Sequence, residues 1–273
     1  MPAPDKKISV LGCGWYGLAL AKKLVESEYS VKGSTTTPEK LNNLKLQGVA
    51  PYLVNFQENE ESADSGFFDC DILIISIPPK RSSAEQHTFL SKIDRIAKAA
   101  QNYKVRHIIF ISSTSVYADT NAKINELTPT APETDSGKAI VAAELLLQRN
   151  TSFDTTIIRF GGLIGPERNP GRFFAGKTNI PNGKAPVNLI HLEDCIGITL
   201  QIIEKSAFGY TYNACAEDHP ERAAFYTAAA VKSGLEKPEF IDELLNWKLI
   251  ESINVKDKLD YDFKIKLNSL VSQ

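Results

Sequence analysis

The chain has 273 residues, 42% hydrophobic and 23% charged, a balance ordinary for a globular protein. Its 31 Lys and Arg against 33 Asp and Glu leave a net charge of -2, without the basic excess that phosphate-backbone binding needs, so nucleic acid is excluded as a main partner. The apolar runs fall far short of the roughly 20 residues that cross a bilayer, and Met1–Lys7 followed by a short apolar stretch does not fit a signal peptide.

A chain of this length suits one large domain, or one domain with a smaller annex. Cys13, Cys70, Cys195 and Cys215 form no CxxC pair, and the four histidines are dispersed. The cysteines therefore read as reduced thiols in a cytoplasmic protein, and no metal site is expected.

In chain order, Lys7–Leu11 predicts a short strand, Gly12–Gly17 a glycine turn, and Leu18–Glu26 a helix with apolar residues at helical spacing. Tyr29–Thr35 predicts a second strand, and Pro38 starts a helix to about Gln47. Val49–Asn55 is a third strand, and the polar, Glu/Ser-rich stretch Gln57–Asp69 reads as an exposed connection. Cys70–Pro78 holds a continuous apolar run, Ile72–Ile77, suited to a central parallel strand covered on both faces. Ser83–Gln101 is a long amphipathic helix, Val105–Ser112 a buried strand, Ser136–Gln148 a helix and Asp154–Phe160 a strand. The alternation predicts an α/β fold, a Rossmann-type doubly wound parallel sheet with right-handed crossovers.

After Phe160 the rhythm breaks into a Gly- and Pro-rich segment, 161–187, of the kind that carries sites on a rigid scaffold. Glu193–Glu204 reads as helix and Tyr210–Cys215 as a last strand. The expected division is 1–160, rejoined by 188–216, as the dinucleotide-binding part, with 161–187 and 217–273 as a smaller substrate-binding part.

Gly12-x-Gly14-x-x-Gly17 lies between a predicted strand and a predicted helix, the context that gives the motif its meaning. The first glycine allows a tight turn, the second lets the backbone approach a pyrophosphate at the helix N-terminus, and the third allows close helix–strand packing. Gly12, Cys13, Gly14, Trp15, Tyr16 and Gly17 are thus the candidate phosphate cradle. Cys13 sits where a thiolate would be favoured, although a small filler residue is the simpler reading.

NAD binders usually carry a carboxylate at the end of the second strand. Here the stretch is Ser34-Thr35-Thr36-Thr37-Pro38-Glu39-Lys40. Hydroxyls of Ser34, Thr35 and Thr36, with Lys40, suit a 2′-phosphate, so NADP is expected, with NAD the alternative. The same hydroxyls could instead cap the following helix.

Further motifs follow in order: Phe110-Ile111-Ser112-Ser113-Thr114-Ser115-Val116-Tyr117, Glu126-x-x-Pro129-x-x-Pro132, Arg159-Phe160-Gly161-Gly162-Leu163-Ile164-Gly165-Pro166, Asn188-x-x-His191-x-x-Asp194 and Tyr212-Asn213. With the glycine turn, they make the chain from about Lys7 to Pro220 resemble the extended and atypical short-chain dehydrogenase/reductase superfamily, which includes sugar-nucleotide epimerases and dehydratases. The GxGxxG spacing and the ending Ile77-Pro78-Pro79 resemble the atypical branch.

The resemblance implies catalysis by Ser or Thr, Tyr and Lys: the phenol as acid/base, the lysine lowering its pKa and holding the nicotinamide ribose, and the hydroxyl binding the reacting oxygen. Ser113 matches the Ser/Thr position and Thr114 stands beside it. No tyrosine lies between Tyr117 and Tyr210. One register puts Thr134 and Lys138 at the Tyr and Lys positions; another, anchored on Glu144, puts Ser136 and Ile140 there. Tyr117 is then the candidate acid, Lys138 the candidate ribose contact, and His191 another acid/base. Ile77, Pro78, Pro79 and Ser112 join the cofactor-binding set, and Thr114, Arg159, Gly161 and His191 the substrate-binding set.

The favoured expectation is an NAD(P)-binding oxidoreductase or epimerase/dehydratase-like enzyme lacking the usual Tyr, with a small-molecule substrate such as a sugar nucleotide or another carbonyl or hydroxyl compound. The alternative is a non-catalytic NADP-binding sensor or regulatory module. A β-hydroxyacid-type dehydrogenase ranks last, because the strand signals persist to residue 215 where such enzymes turn all-helical. No membrane partner is expected, and a homodimer is compatible with the sequence.

Overall fold

The computed structural model describes residues 6–57, 60–79 and 83–272. Met1–Asp5, on which part of the signal-peptide reading rests, lie outside them. The strands are β1 (Lys7–Leu11), β2 (Ser30–Thr35), β3 (Ala50–Gln57), β4 (Glu60–Ala63), β5 (Ile72–Ile75), β6 (His107–Ser113), β7 (Ala122–Ile124), β8 (Asp154–Phe160), β9 (Gly162–Ile164), β10 (Leu189–His191), β11 (Thr211–Ala214) and β12 (Lys248–Ile250). The helices are α1 (Trp15–Glu26), α2 (Leu41–Leu46), α3 (Ser83–Asn102), α4 (Asp135–Arg149), α5 (Leu192–Glu204), α6 (Arg222–Lys232), α7 (Ile253–Leu259) and α8 (Leu267–Val271).

The main sheet runs β11-β8-β6-β5-β1-β2-β3-β4, parallel throughout except for the edge strand β4. β1 pairs with both β2 and β5, with Val10 opposite Gly33 on one side and Ile74 on the other. The chain order therefore reverses direction about β1, and the crevice opened at the carboxyl ends of β1 and β5 is where doubly wound sheets bind ligands. All four residues of β5 are buried, as the continuous apolar run requires.

One face of the sheet is covered by α1, α5 and α7, through Leu20, Leu24, Ile198, Ile202, Val255 and Leu259. The other is covered by α3 and α4, through Ile93, Ile96, Ala143 and Leu147. A third, smaller cluster joins Ile164, Val187 and Leu189 to Ala216, Phe225, Tyr226 and Leu267. The tail does not stay with that smaller cluster: α7 packs back on the main sheet, and buried Asp194 accepts hydrogen bonds from Tyr261 Oη (2.9 Å) and the backbone N–H groups of Lys264 (2.8 Å) and Ile265 (3.2 Å).

The stretch 57–69 departs from the exposed connection expected of it. Residues 60–63 pair antiparallel with β3, and Phe67 and Phe68 are buried edge-to-face with ring centroids 5.3 Å apart. Two adjacent aromatics offer enough apolar area to pull a polar segment onto the sheet edge. Residues 58 and 59 lie outside the described residues.

Candidate functional site

The glycine turn has the geometry its spacing predicts. Gly12 has a φ of +97°, and a Cβ there would stand 2.7 Å from Ile77 Cγ2. A Cβ on Gly17 would lie 2.2 Å from the Gly12 carbonyl oxygen, so this position admits no side chain. Gly14 differs: a Cβ there meets nothing within 4 Å. Its bareness serves the space in front of the turn rather than the packing behind it. No side chain caps α1, and its first turn holds no acidic residue, leaving a helix N-terminus suited to an anion.

Three cavities with shared wall residues lie along the ends of the strands, two of them meeting at this turn. The main cleft, about 520 Å³, runs from Gly14, Trp15 and Gly17 past Ser76, Ile77, Pro78 and Pro79 to Ser112, Ser113, Ser115, Ser136 and Gly161. A second cavity, about 340 Å³, shares Gly14, Ile77, Pro78 and Phe89 with it. There Cys13, Ser34, Thr35, Thr36, Lys40, Asn55 and Lys92 form the walls. A third, about 330 Å³, shares Ser113 and Ser115 with the main cleft. Its walls include Thr114, Asp119, Arg222, Tyr226, Trp247 and Lys248.

The hydroxyls after β2 divide their work. Ser34 is buried, and its Oγ accepts the Gly12 N–H at 2.9 Å, bracing the turn. Thr35 Oγ1 accepts the Thr37 N–H at 3.1 Å, closing the bend before Pro38. Thr36 and Lys40 are exposed beside the second cavity. Cys13 packs where a Cβ on Gly33 would meet its sulfur at 2.8 Å, and burial pushes its thiol up to about 12. A helix N-terminus favours a thiolate, but desolvation wins here, so Cys13 is a filler. Tyr16 turns away from the cleft: its hydroxyl lies 2.7 Å from Thr199 Oγ1, and its ring packs edge-on to Phe160.

The candidate acid/base residues part company in the structure. Tyr117 is buried and lines none of the three cavities. Its hydroxyl accepts from Arg159 Nη1 at 2.6 Å and donates to Asn213 Oδ1 at 2.9 Å. Burial raises its pKa despite the adjacent guanidinium, the reverse of what a working acid/base needs. Arg159 makes a paired contact with Glu144, Nε to Oε1 at 3.0 Å and Nη2 to Oε2 at 2.6 Å, and both side chains are buried. It is therefore a brace under the cleft floor, not a substrate contact. Ser112 Oγ donates to the same Glu144 carboxylate at 2.5 Å.

Lys138 is exposed and pairs with Asp135 at 3.3 Å, outside the cleft. Ser136 and Ile140, one helical turn apart on α4, are the residues that face it. Two positions along a helix is a rotation of about 200°, so Lys138 cannot share the face of Ser136. Thr134 is the N-cap of α4, its Oγ1 accepting the Gly137 N–H at 3.1 Å. The register anchored on Glu144 is thus the one the cleft adopts.

The Asn-x-x-His-x-x-Asp motif makes structural contacts along its length. Asn188 donates to Lys248 O at 2.8 Å and accepts the Ile250 N–H at 2.9 Å. His191 caps α5, Nδ1 accepting the Glu193 N–H at 3.2 Å, and lines a separate groove behind Gly165. Asp194 holds the tail, as described above. Ser113 keeps a cleft position: its Oγ accepts the Ser115 N–H at 3.1 Å and retains its own proton to donate. Thr114 is buried at the third cavity, and Gly161 lines the main cleft because a Cβ there would press on Asn188 O at 3.0 Å.

Sequence reasoning missed Ser115, Lys92, Arg168 and the Arg222, Tyr226, Trp247 and Lys248 group. These lie on α3, on α6, in connections and near the C-terminal end, and no local spacing marks them.

A model of the NAD(P)H-binding family matches residues 12–189. Protein YeeZ of Escherichia coli (strain K12) is 36% identical over 265 residues, 95% of this chain and 96% of that protein. An uncharacterized UDP-glucose epimerase, YtcB of Bacillus subtilis (strain 168), is 25% identical over 239 residues, 76% of each chain. Among solved structures, UDP-glucuronic acid 4-epimerase from Bacillus cereus in complex with NAD superposes with a TM-score of 0.80 at 18% identity, covering 97% of this chain and 96% of that one. With the bare glycine turn, the reversal of strand order about β1 and the family match in agreement, this chain belongs to the NAD(P)H-binding family.

Proposed function

We propose that the protein binds NADP(H) across the glycine turn and acts on a phosphorylated, hydroxyl-bearing small molecule of the sugar-nucleotide class in the adjoining cavity. The observation that carries this reading is the adjacency of the three cavities: the main cleft shares Gly14 with the second and Ser113 and Ser115 with the third. Among its described lining residues the second cavity holds Thr36 and Lys40 and no carboxylate, and the lysine favours a 2′-phosphate over a bare ribose. The bare Gly14, the uncapped α1 and the Ile77-Pro78-Pro79 wall suit the linked phosphates and the nicotinamide half.

When bound, the nicotinamide accepts or returns a hydride. The chain's part is to hold the reacting carbon still and shield it. Ser113 donates a hydrogen bond to the oxygen on that carbon, Ser115 and Ser136 extend the polar wall, and Phe110, Ile111 and Leu163 exclude water. In the third cavity, Tyr226 and Trp247 offer aromatic faces and Arg222 and Lys248 offer charge, a combination suited to a base and its phosphates. YtcB is described as a UDP-glucose epimerase, which agrees in substrate class.

Calorimetric titration with NADPH, NADH and their oxidised forms tests the cofactor half. NADPH should bind at least about tenfold tighter than NADH, and Lys40→Ala should erase most of that gap. Equal affinities would reject the NADP assignment. A panel of sugar nucleotides, followed by NADPH absorbance and by product analysis, tests the substrate half.

The facing of Ser136 and Ile140 favours a second reading. A serine and an isoleucine cannot supply the phenol and ammonium pair, so a dinucleotide-responsive module without turnover is the alternative. Tight cofactor binding with no turnover across the panel would select it.

A further inference from the structure

The main cleft is lined by hydroxyls, glycines and apolar side chains, and among its described lining residues Arg168 carries the only charge. A dinucleotide's two linked phosphates bring negative charge to this cleft. The helix N-terminus meets one side of it with backbone amides; the other side lies open toward the segment after β9.

That segment is fastened to the glycine turn at one residue. Gly165 and Arg168 close a tight turn by mutual backbone hydrogen bonds, Arg168 N–H to Gly165 O at 3.0 Å and Gly165 N–H to Arg168 O at 3.3 Å. Trp15, the residue after Gly14, donates its indole N–H to Pro166 O at 2.7 Å. The Arg168 guanidinium carbon stands 4.3 Å from the centre of the Trp15 ring. Gly165, with a φ of +145°, has no side chain to hold the ring off; a Cβ there would approach Trp15 at 3.4 Å. The turn thus carries a guanidinium to the mouth of the phosphate cradle and stacks it on the cradle's own tryptophan.

Arg168 is exposed, and no described carboxylate lies within 4.0 Å of it as an ion-pair partner. This contrasts with Arg159, whose fork is filled by Glu144. A guanidinium stacked on an aromatic ring keeps its in-plane N–H donors free, and that fork matches phosphate oxygens.

We propose that Arg168 is a pyrophosphate-binding residue: held on Trp15, it meets the cofactor's linked phosphates from the side opposite the α1 amides, so that the 165–168 turn closes the phosphate cradle. This rests on the dinucleotide reading of the glycine turn and adds a residue to it. The arrangement divides the work between neutral amides, which fix position, and one stacked charge, which supplies affinity.

The test is calorimetric binding of NADPH, ADP-ribose, adenosine and UDP-glucose to the wild-type chain and to Arg168→Ala, Arg168→Lys and Trp15→Phe. Arg168→Ala should weaken NADPH and ADP-ribose by about 10- to 100-fold and leave adenosine unchanged, with Arg168→Lys intermediate. Trp15→Phe keeps a ring for stacking but loses the bond to Pro166, so it should weaken the two phosphate ligands by a smaller factor. Unchanged NADPH affinity in Arg168→Ala overturns the proposal while leaving the dinucleotide site standing. So does an equal loss for adenosine, which would report a disturbed turn, or a loss confined to a sugar nucleotide such as UDP-glucose, which would place the guanidinium on the substrate. Failure of the wild-type chain to bind any dinucleotide would remove the proposal together with the reading beneath it.

Discussion

The two ends of the main cleft are built on different terms. At the glycine turn the cleft side is backbone: Gly12 and Gly17 are bare because the chain touches itself, whereas a Cβ on Gly14 would meet nothing within 4 Å. At the far end the ligand side is made of serine hydroxyls from β6, the turn after it and α4, standing above a buried tie of Arg159, Glu144, Tyr117 and Asn213. The first end tolerates almost no change of residue type. The second rests on that buried scaffold, with Ser136 and Ile140 of α4 standing in the cleft above it.

The largest expected effect separates those terms directly. Gly14→Asp should abolish dinucleotide binding, since a side chain and a negative charge both oppose the phosphates, yet it should leave the circular dichroism and melting temperature near wild type, because nothing stands within 4 Å of the added Cβ. Retained affinity would mean that the turn is not the cradle.

Glu144→Ala should destabilise the chain by about 3–5 kcal/mol in urea unfolding, because it strands the Arg159 charge in a buried site. A loss below about 1 kcal/mol would show that the tie does not hold the floor of the hydroxyl end.

Ser113→Ala sharpens the contrast from the other side. For a substrate found by the panel, turnover should fall about 100-fold with cofactor affinity unchanged, the cost of one donor to a developing charge. Unchanged turnover would remove Ser113 from the chemistry.

Gly17→Ala should cost about 1–3 kcal/mol of stability, because the added methyl collides with the Gly12 carbonyl, and any loss of cofactor binding should accompany that loss of fold.

The smallest effect concerns pH. Burial lowers the pKa of His107, stacked 4.0 Å from Phe208, and of His219, whose Nδ1 lies 3.0 Å from Val187 O. The unfolded chain binds these protons more readily, so stability is fully present above about 6.5 and declines as the pH falls through the depressed folded values. Melting temperature should therefore drop from pH 7 to 5, and less steeply in His219→Gln. A flat profile would show that neither ring is held neutral.

Much of this molecule is legible in the order of its residues. Hydrophobic period and glycine spacing locate the parallel strands and the cradle, because an apolar run such as Ile72–Ile75 must be covered on both faces and a backbone that touches itself must lack a Cβ. The hydroxyls flanking Thr36 were legible only as a group; their separation into bracing and ligand-facing members needed Ser34 Oγ on the Gly12 amide and Thr35 Oγ1 on the Thr37 amide.

What the sequence by itself determined is the layered sheet, its order of elements and the tight glycine turn, since each depends on a local rule of period or conformation. Tertiary structure alone decided that Ser136 and Ile140 face the cleft while Lys138 does not, that Tyr117 and Arg159 turn inward to Asn213 and Glu144, and that Arg168 rests on Trp15, 153 positions away. A side chain's direction is set by which neighbours fill the space around it. Those neighbours come from distant parts of the chain, so no window of adjacent residues contains them.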